Sequence, residues 1–378
     1  MHRRITLALA LAALVAAAPA RSQSITRPPD GDNQRSSVSQ WIGLVKVSVD
    51  YNSPDVHGPA GEDRAGHIWG ELVPYGLHDL GFNDCTSCPW RAGANENTVF
   101  TVSHDVLVDG KPLAAGAYGV HMLAGQDEWT VIFSRNSTSW GSFTYDPRED
   151  AVRITVKPQK NAYHEWLDYS FTDRKPAQAT VAMQWENLAV PFTISVPNIH
   201  DLYVEQMSRE LRGSHQFTWT NWEAAAQYCL TNKTHLKEGL AFAQKAVSGQ
   251  FVGSENFKTL GTLAQLQLAN GMKQEAKQTI AKAMNGVPPG VIETHMFARG
   301  LQIRGSNDLA MDVFLTNAKR HAKQWPVQLG LARGYATSGN KKKALEHARL
   351  ALAQAPDEPN RKNVQALIKE WESTTAVK

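Results

Sequence analysis

Six side chains in one short stretch carry most of the chemistry open to this sequence: Glu71, Tyr75, Trp90, Arg91, Asn95 and Glu96. Arg91 can hold a carboxylate or phosphate through a two-pronged hydrogen bond, Asn95 can complete that hold, and the Trp90 and Tyr75 rings offer faces to a sugar or planar group. These are tools of binding more than of catalysis. Glu71 and Glu96 are the catalytic candidates, because two opposed carboxylates flanking a glycosidic bond can serve as acid and base. A structural reading of the same residues stands beside these: Arg91 pairs with Glu96 across a turn, Asn95 adopts a left-handed conformation, and Trp90 fills a core.

Between Tyr75 and Trp90 lies Cys85-Thr86-Ser87-Cys88. In an oxidising compartment this pair closes a small disulfide ring and stiffens its loop, while an inert reduced pair, a metal site and a redox site stay open as alternatives. A zinc site would recruit His78 and Asp84, but the second Cys pair or spaced His pair that marks such sites is missing. His57, His67, His78 and His104 follow no compact ligand spacing, so no metal is expected. The chain contains no Gly-x-Ser-x-Gly elbow, phosphate-binding glycine loop, dinucleotide fingerprint or His-Glu-x-x-His pair, and no cofactor is implied.

The segments Gly70-Glu71-Leu72-Val73-Pro74-Tyr75-Gly76 and Trp90-Arg91-Ala92-Gly93-Ala94-Asn95-Glu96-Asn97-Thr98 resemble the bacterial family called Domain of Unknown Function 2911. The resemblance continues through Asp109-Gly110-Lys111-Pro112, Glu128-Trp129-Thr130-Val131, Trp140-Gly141 and Glu165-Trp166-Leu167 to Trp185-Glu186-Asn187, over residues 38–197. It implies a domain identity without a reaction. In the family pattern Tyr-Gly and Trp-Arg are joined by only a few residues, whereas this chain inserts about ten, the two cysteines among them.

A chain of 378 residues exceeds one ordinary core and predicts two folded units. Arg3 and Arg4, the apolar run Ile5 to Ala18 and the small-x-small Ala18-Pro19-Ala20 read as a signal peptide over residues 1–20. No later stretch approaches the roughly 20 apolar residues of a membrane span, so the expected product is exported, periplasmic or secreted, and not membrane-embedded. Losing Arg3 and Arg4 takes the formal charge from +3 to +1, too little for a nucleic-acid face.

Two periodicities follow. Val45, Val47, Val49 and Tyr51 alternate with polar residues, and similar runs recur at residues 99–103, 117–123, 129–133, 152–157, 166–171, 180–186 and 190–196. Short strands with no helical pattern between them predict an antiparallel β-sandwich or jelly-roll-like domain over 38–197, after a flexible linker at 21–37. Trp69, Trp129, Trp140, Trp166 and Trp185 are read mainly as its core. Residues 198–221 read as a connecting helix and linker, with Asn198 placed to cap it. Farther on, Gly271, Gly305 and Gly339, then Ala276, Ala310 and Ala344, then Ala264, Ala298 and Ala332, each recur at 34 residues. Three coincident registers predict a tetratricopeptide-like α-helical solenoid over 222–378, with a weaker first unit near Trp222 and a capping helix at the end. Gln267, Leu301 and Tyr335 share one register there and are the expected partner-binding positions.

These features favour an exported, non-enzymatic binding or scaffold protein. Its helical repeats would recruit a protein or peptide partner, and its β domain is open to a small-molecule or carbohydrate ligand. The alternative is an extracytoplasmic hydrolase, acting on carbohydrate, that uses Glu71 and Glu96.

Overall fold

A computed structural model describes residues 33–58, 60–81, 85–322 and 324–373. The expected signal peptide at 1–20, most of the expected linker at 21–37 and Asp84 lie outside the described residues. The chain divides into two units at Pro197/Asn198.

The first unit consists of two antiparallel sheets. In the larger, β1 (Gln34–Ile42), β2 (Val45–Ser53), β3 (Thr98–Val102), β6 (Gly116–Leu123), β7 (Trp129–Ser134) and β8 (Asp150–Val156) lie in that order. In the smaller the order is β5 (Lys111–Leu113), β4 (Val106–Val108), β10 (Gln178–Ser195), β9 (Gln159–Lys175). The alternation in β2 explains the layering: Val45, Val47 and Val49 are buried while Lys46 between them is exposed. The two sheets meet through aromatic rings. Phe192 of the smaller sheet packs edge-on to Phe133 and Phe100 of the larger at 5.7 and 6.3 Å, and Tyr51 lies 4.9 Å from Tyr169.

Two details differ from the sequence reading. β1 begins at Gln34, so residues 34–37 of the expected linker are strand: their polar side chains suit a sheet edge, and the sequence gives that edge no apolar signature. The runs at 180–186 and 190–196 form one 18-residue strand, β10. What separates them is a bulge at Glu186, where φ is +52° and the register with β9 shifts on both sides. Asp109-Gly110 closes the two-residue hairpin between β4 and β5 with both φ values positive, as a turn of the I′ type requires.

The second unit is all helical. Helix α1 (Ile199–Glu210) packs on α2 (Trp219–Asn232), with the Tyr203 and Tyr228 rings 5.5 Å apart. Asn198 stands at the N-cap of α1 without a side-chain capping bond. Antiparallel pairs follow: α2 with α3 (Leu236–Ser248), α4 (Phe257–Ala269) with α5 (Lys273–Asn285), α6 (Val291–Ile303) with α7 (Asn307–Arg320), and α8 (Trp325–Thr337) with α9 (Lys341–Ala353). Gly271, Gly305 and Gly339 sit at the turn inside the last three pairs with φ of +79°, +82° and +78°. An added Cβ would meet no atom within 4 Å at any of them, so the left-handed backbone, and not crowding, selects glycine. Ala264, Ala298 and Ala332 are fully buried where helices approach closely. The last helix, α10 (Glu358–Ser373), closes the stack by laying Val364, Leu367, Ile368 and Trp371 on Leu329, Ala332, Ala348 and Ala351.

Candidate functional site

The segment between β2 and β3 carries all six candidate side chains of the β unit, and the structure distributes them over separate environments. Trp90 enters the space between the sheets. Its backbone exchanges two hydrogen bonds with Met122, 2.9 and 2.8 Å, and its ring stacks on Trp185 at 6.3 Å while Trp69 and Trp129 stand edge-on. Four indoles thus share one core, and Trp90 is a packing residue there. Trp140 and Trp166 depart from the core expectation, being 56 % and 39 % exposed. Tyr75 is partly exposed, with its ring against Gly70 and its backbone bridged to Ala124.

Arg91 is turned inward. Its Nη1 donates to the Asn95 carbonyl at 2.6 Å, and its guanidinium lies 4.7 Å from the Phe143 ring centre. Gly141 covers it, with φ at +59°: a Cβ there would come within 2.5 Å of Nε and Nη1. Asn95 holds its carbonyl toward Arg91 from a left-handed conformation, φ +53°. The Arg91–Glu96 pair of the structural reading is replaced by this Arg91–Asn95 contact. Burial pulls the guanidinium below its ordinary pKa, though an arginine stays charged at neutral pH. Burial, aided by the Arg91 charge, also drives His121 down to about 4, and neutral His121 shares a 2.9 Å hydrogen bond with Ser142.

The two candidate carboxylates have different partners. Glu71 is exposed and meets the exposed His67 at 3.1 Å, whereas Glu96 Oε2 accepts from Asn52 Nδ2 at 2.9 Å. Glu96 lines a pocket of about 220 Å³ whose wall includes neither Glu71 nor Arg91. The histidines are equally scattered: His57 pairs with Glu165 and Asp63, His78 bridges the Cys88 backbone, and His104 meets the Ser103 hydroxyl. Among the described residues no group of three or more His, Cys, Asp or Glu is arranged to hold a metal.

Sequence reasoning passed over the Glu165 cluster. Burial acts against ionisation of Glu165, but hydrogen bonds from Tyr163 at 2.5 Å and from the His57 ring and backbone outweigh it and hold the carboxyl at about 2. Glu186, at the bulge of β10, accepts from the Gly66 amide at 2.6 Å. Both acidic residues tie the long segment to the smaller sheet.

Cys85 and Cys88 form a disulfide with Cα atoms 5.7 Å apart. Alkylation without reduction, followed by mass measurement of the peptide spanning both residues, should show them unalkylated; two alkylated thiols would contradict the ring. Cys229 is free and buried, its thiol pushed up to about 11 by burial.

In the helical unit the expected partner positions turn inward. Leu301 is fully buried in the repeat core, Gln267 is buried, and Tyr335 is half-buried and stacks on His347 at 5.4 Å. The open face is formed by their neighbours. A groove of about 620 Å³ runs over α2, α4 and α6, lined by Phe257, Met296 and Phe297 together with Gln227, Thr262 and Gln265. At one side of it the Glu223 carboxylate, 2 % exposed as a residue, accepts from Thr262 Oγ1 at 3.0 Å and pairs with Lys258 Nζ at 2.7 Å. The repeat register marks a further feature: Arg299 and Arg333, 34 residues apart, are both partly buried, and burial together with the charge of Arg299 lowers Arg333 to about 10.

Residues 33–194 match the family described as "Protein of unknown function (DUF2911)". No curated protein matches the chain. Among solved structures, a thermophilic TPR protein of Thermus thermophilus is 15 % identical, with 46 % of this chain and 91 % of that one covered and a TM-score of 0.34. YrrB, described as a TPR protein with an unusual peptide-binding site, is 18 % identical over 45 % of this chain and 89 % of its own, TM-score 0.30. A tetratricopeptide repeat protein from Parabacteroides merdae is 14 % identical, covering 46 % and 68 %, TM-score 0.32. Among the described residues no helix is long and apolar enough to cross a membrane.

Proposed function

We propose that the chain is an exported, non-enzymatic binding scaffold whose helical repeats recruit a protein partner by taking an extended peptide segment into the groove over α2, α4 and α6. The groove itself is the observation that carries this reading. Met296 is 63 % exposed beside Phe257 and Phe297, an apolar floor that a soluble surface gains nothing by presenting to water. Gln227, Thr262 and Gln265 line the groove as well and are held by Thr231, Glu223 and Arg304 respectively, so the polar part of the wall is fixed before a peptide arrives. The Glu223–Lys258 pair adds a fixed charge at one side, which suits register-specific recognition more than raw affinity. Export rests on the charged, apolar and small-residue order of residues 1–20.

The full mature chain should capture a partner from the exported fraction, and the same chain carrying Met296→Glu should lose it. Met296 is 63 % exposed, so circular dichroism should remain that of the unsubstituted protein. Identical partner sets for the two forms would overturn the recruitment reading.

A further inference from the structure

The pocket that contains Glu96 has a composition the helical groove does not explain. It measures about 220 Å³ and is walled by Arg35 and Asp50 of the β1–β2 edge, by Asn52, by Glu96 and Asn97 just before β3, and by Trp140. The volume equals roughly seven waters, which is the scale of one six-membered ring with its substituents. We infer that this pocket is a binding site for a neutral sugar, holding one pyranose ring between the Trp140 face and the Asn52–Glu96–Asn97 edge.

Three observations converge on that chemistry. First, Trp140 is 56 % exposed although it belongs to an otherwise ordered loop, and an indole face left open beside a polar wall is suited to the C–H side of a sugar ring. Second, the polar wall is rigid. Asn97 is 6 % exposed, and its Nδ2 donates to the Asn136 carbonyl and to Ser139 Oγ, both at 3.0 Å, while Asn52 Nδ2 fixes Glu96 Oε2. Third, the wall has an acceptor open to a ligand: the Glu96 side chain is exposed, and among the described residues its Oε1 has no protein partner, so it can accept from a sugar hydroxyl. An anionic ligand fits poorly, since Glu96 and Asp50 outnumber Arg35 on the wall. A nucleotide would meet the same carboxylates with its phosphates.

Glucose, galactose and mannose, each titrated into the full mature chain and followed by saturation-transfer NMR, provide the test. At least one should give a saturable signal with a dissociation constant in the millimolar range, as a single open ring site allows. Trp140→Ala should raise that constant at least tenfold, Trp140→Tyr should restore much of it, and Glu96→Gln should weaken binding several-fold. Trp140 is exposed, so its replacement leaves the sandwich core in place, and an unchanged thermal transition checks this. No saturable signal from any of the three sugars, affinity unchanged by Trp140→Ala, or tighter binding of glucose 6-phosphate than of glucose would each overturn the assignment.

Discussion

Gly141→Ala should destabilise the protein by about 2–4 kcal/mol, seen as a lowered urea midpoint with an unchanged slope. Two costs combine at this position. The backbone has φ +59°, where a Cβ costs about 1–2 kcal/mol. The new Cβ would also stand within 2.5 Å of the Arg91 guanidinium, which cannot retreat without giving up its 2.6 Å bond to the Asn95 carbonyl. The second cost has a signature of its own. Arg91→Met removes the obstacle as well as the hydrogen bond, so the double variant should lose at least about 1 kcal/mol less than the two single losses added together. Additivity within about 0.5 kcal/mol would mean that Gly141 is selected by its backbone alone and that Arg91 does not press against it.

Acid should weaken the fold through two histidines well before the carboxylates titrate. His121 in the β unit and His295 in the helical unit each fall from the ordinary 6.5 to about 4: burial is the main cause in both, with Arg91 and Arg333 respectively adding repulsion. A group whose folded pKa lies below its unfolded value binds fewer protons when folded. Its contribution is therefore complete above about pH 6.5 and is lost as pH falls toward 4, at about 3 kcal/mol for each histidine. Denaturant titrations at intervals between pH 7 and 4 measure this directly. His121→Gln keeps an amide within reach of the Ser142 hydroxyl but has no proton to take up, so it should flatten the pH dependence by one histidine's share. A slope unchanged in both His121→Gln and His295→Gln would place the acid sensitivity elsewhere.

Much of the architecture was legible because it rests on local rules. Three glycines at 34-residue spacing could be read as turns since each needs a left-handed backbone whatever surrounds it, and alternation in Val45 to Tyr51 could be read as a strand since one face is buried. The candidate site was legible only as a segment. Whether Arg91 faces solvent or interior depends on Gly141 and Phe143, some fifty residues away, and nothing near Arg91 in the chain announces them. The partner register shows the same limit by angle. Gln267 and Gln265 are two residues apart on α4, which on a helix is about 200° of rotation, so a 34-residue spacing carries the register but not which of its positions face the groove. Glu186 shows the complementary failure: a bulge with a charged residue at positive φ looks, in sequence, like the end of one strand and the start of another.

The long connection between β2 and β3 is irregular by any secondary-structure label, yet its described residues are fastened at many points. Val56 and His57 bond to Glu165, Gly66 to Glu186, Gly76 to Ala124, Cys85 to Phe143, Trp90 to Met122 and Ala94 to Asn52. Successive fasteners engage strands of both sheets, so displacing any one stretch strains its neighbours before it frees them. Such a connection behaves as upholstery nailed along its length and not as a flap on a hinge. Variation at its exposed side chains can therefore change what the surface offers without changing where the surface is, and a domain whose backbone contour is held this way can acquire a new specificity one side chain at a time.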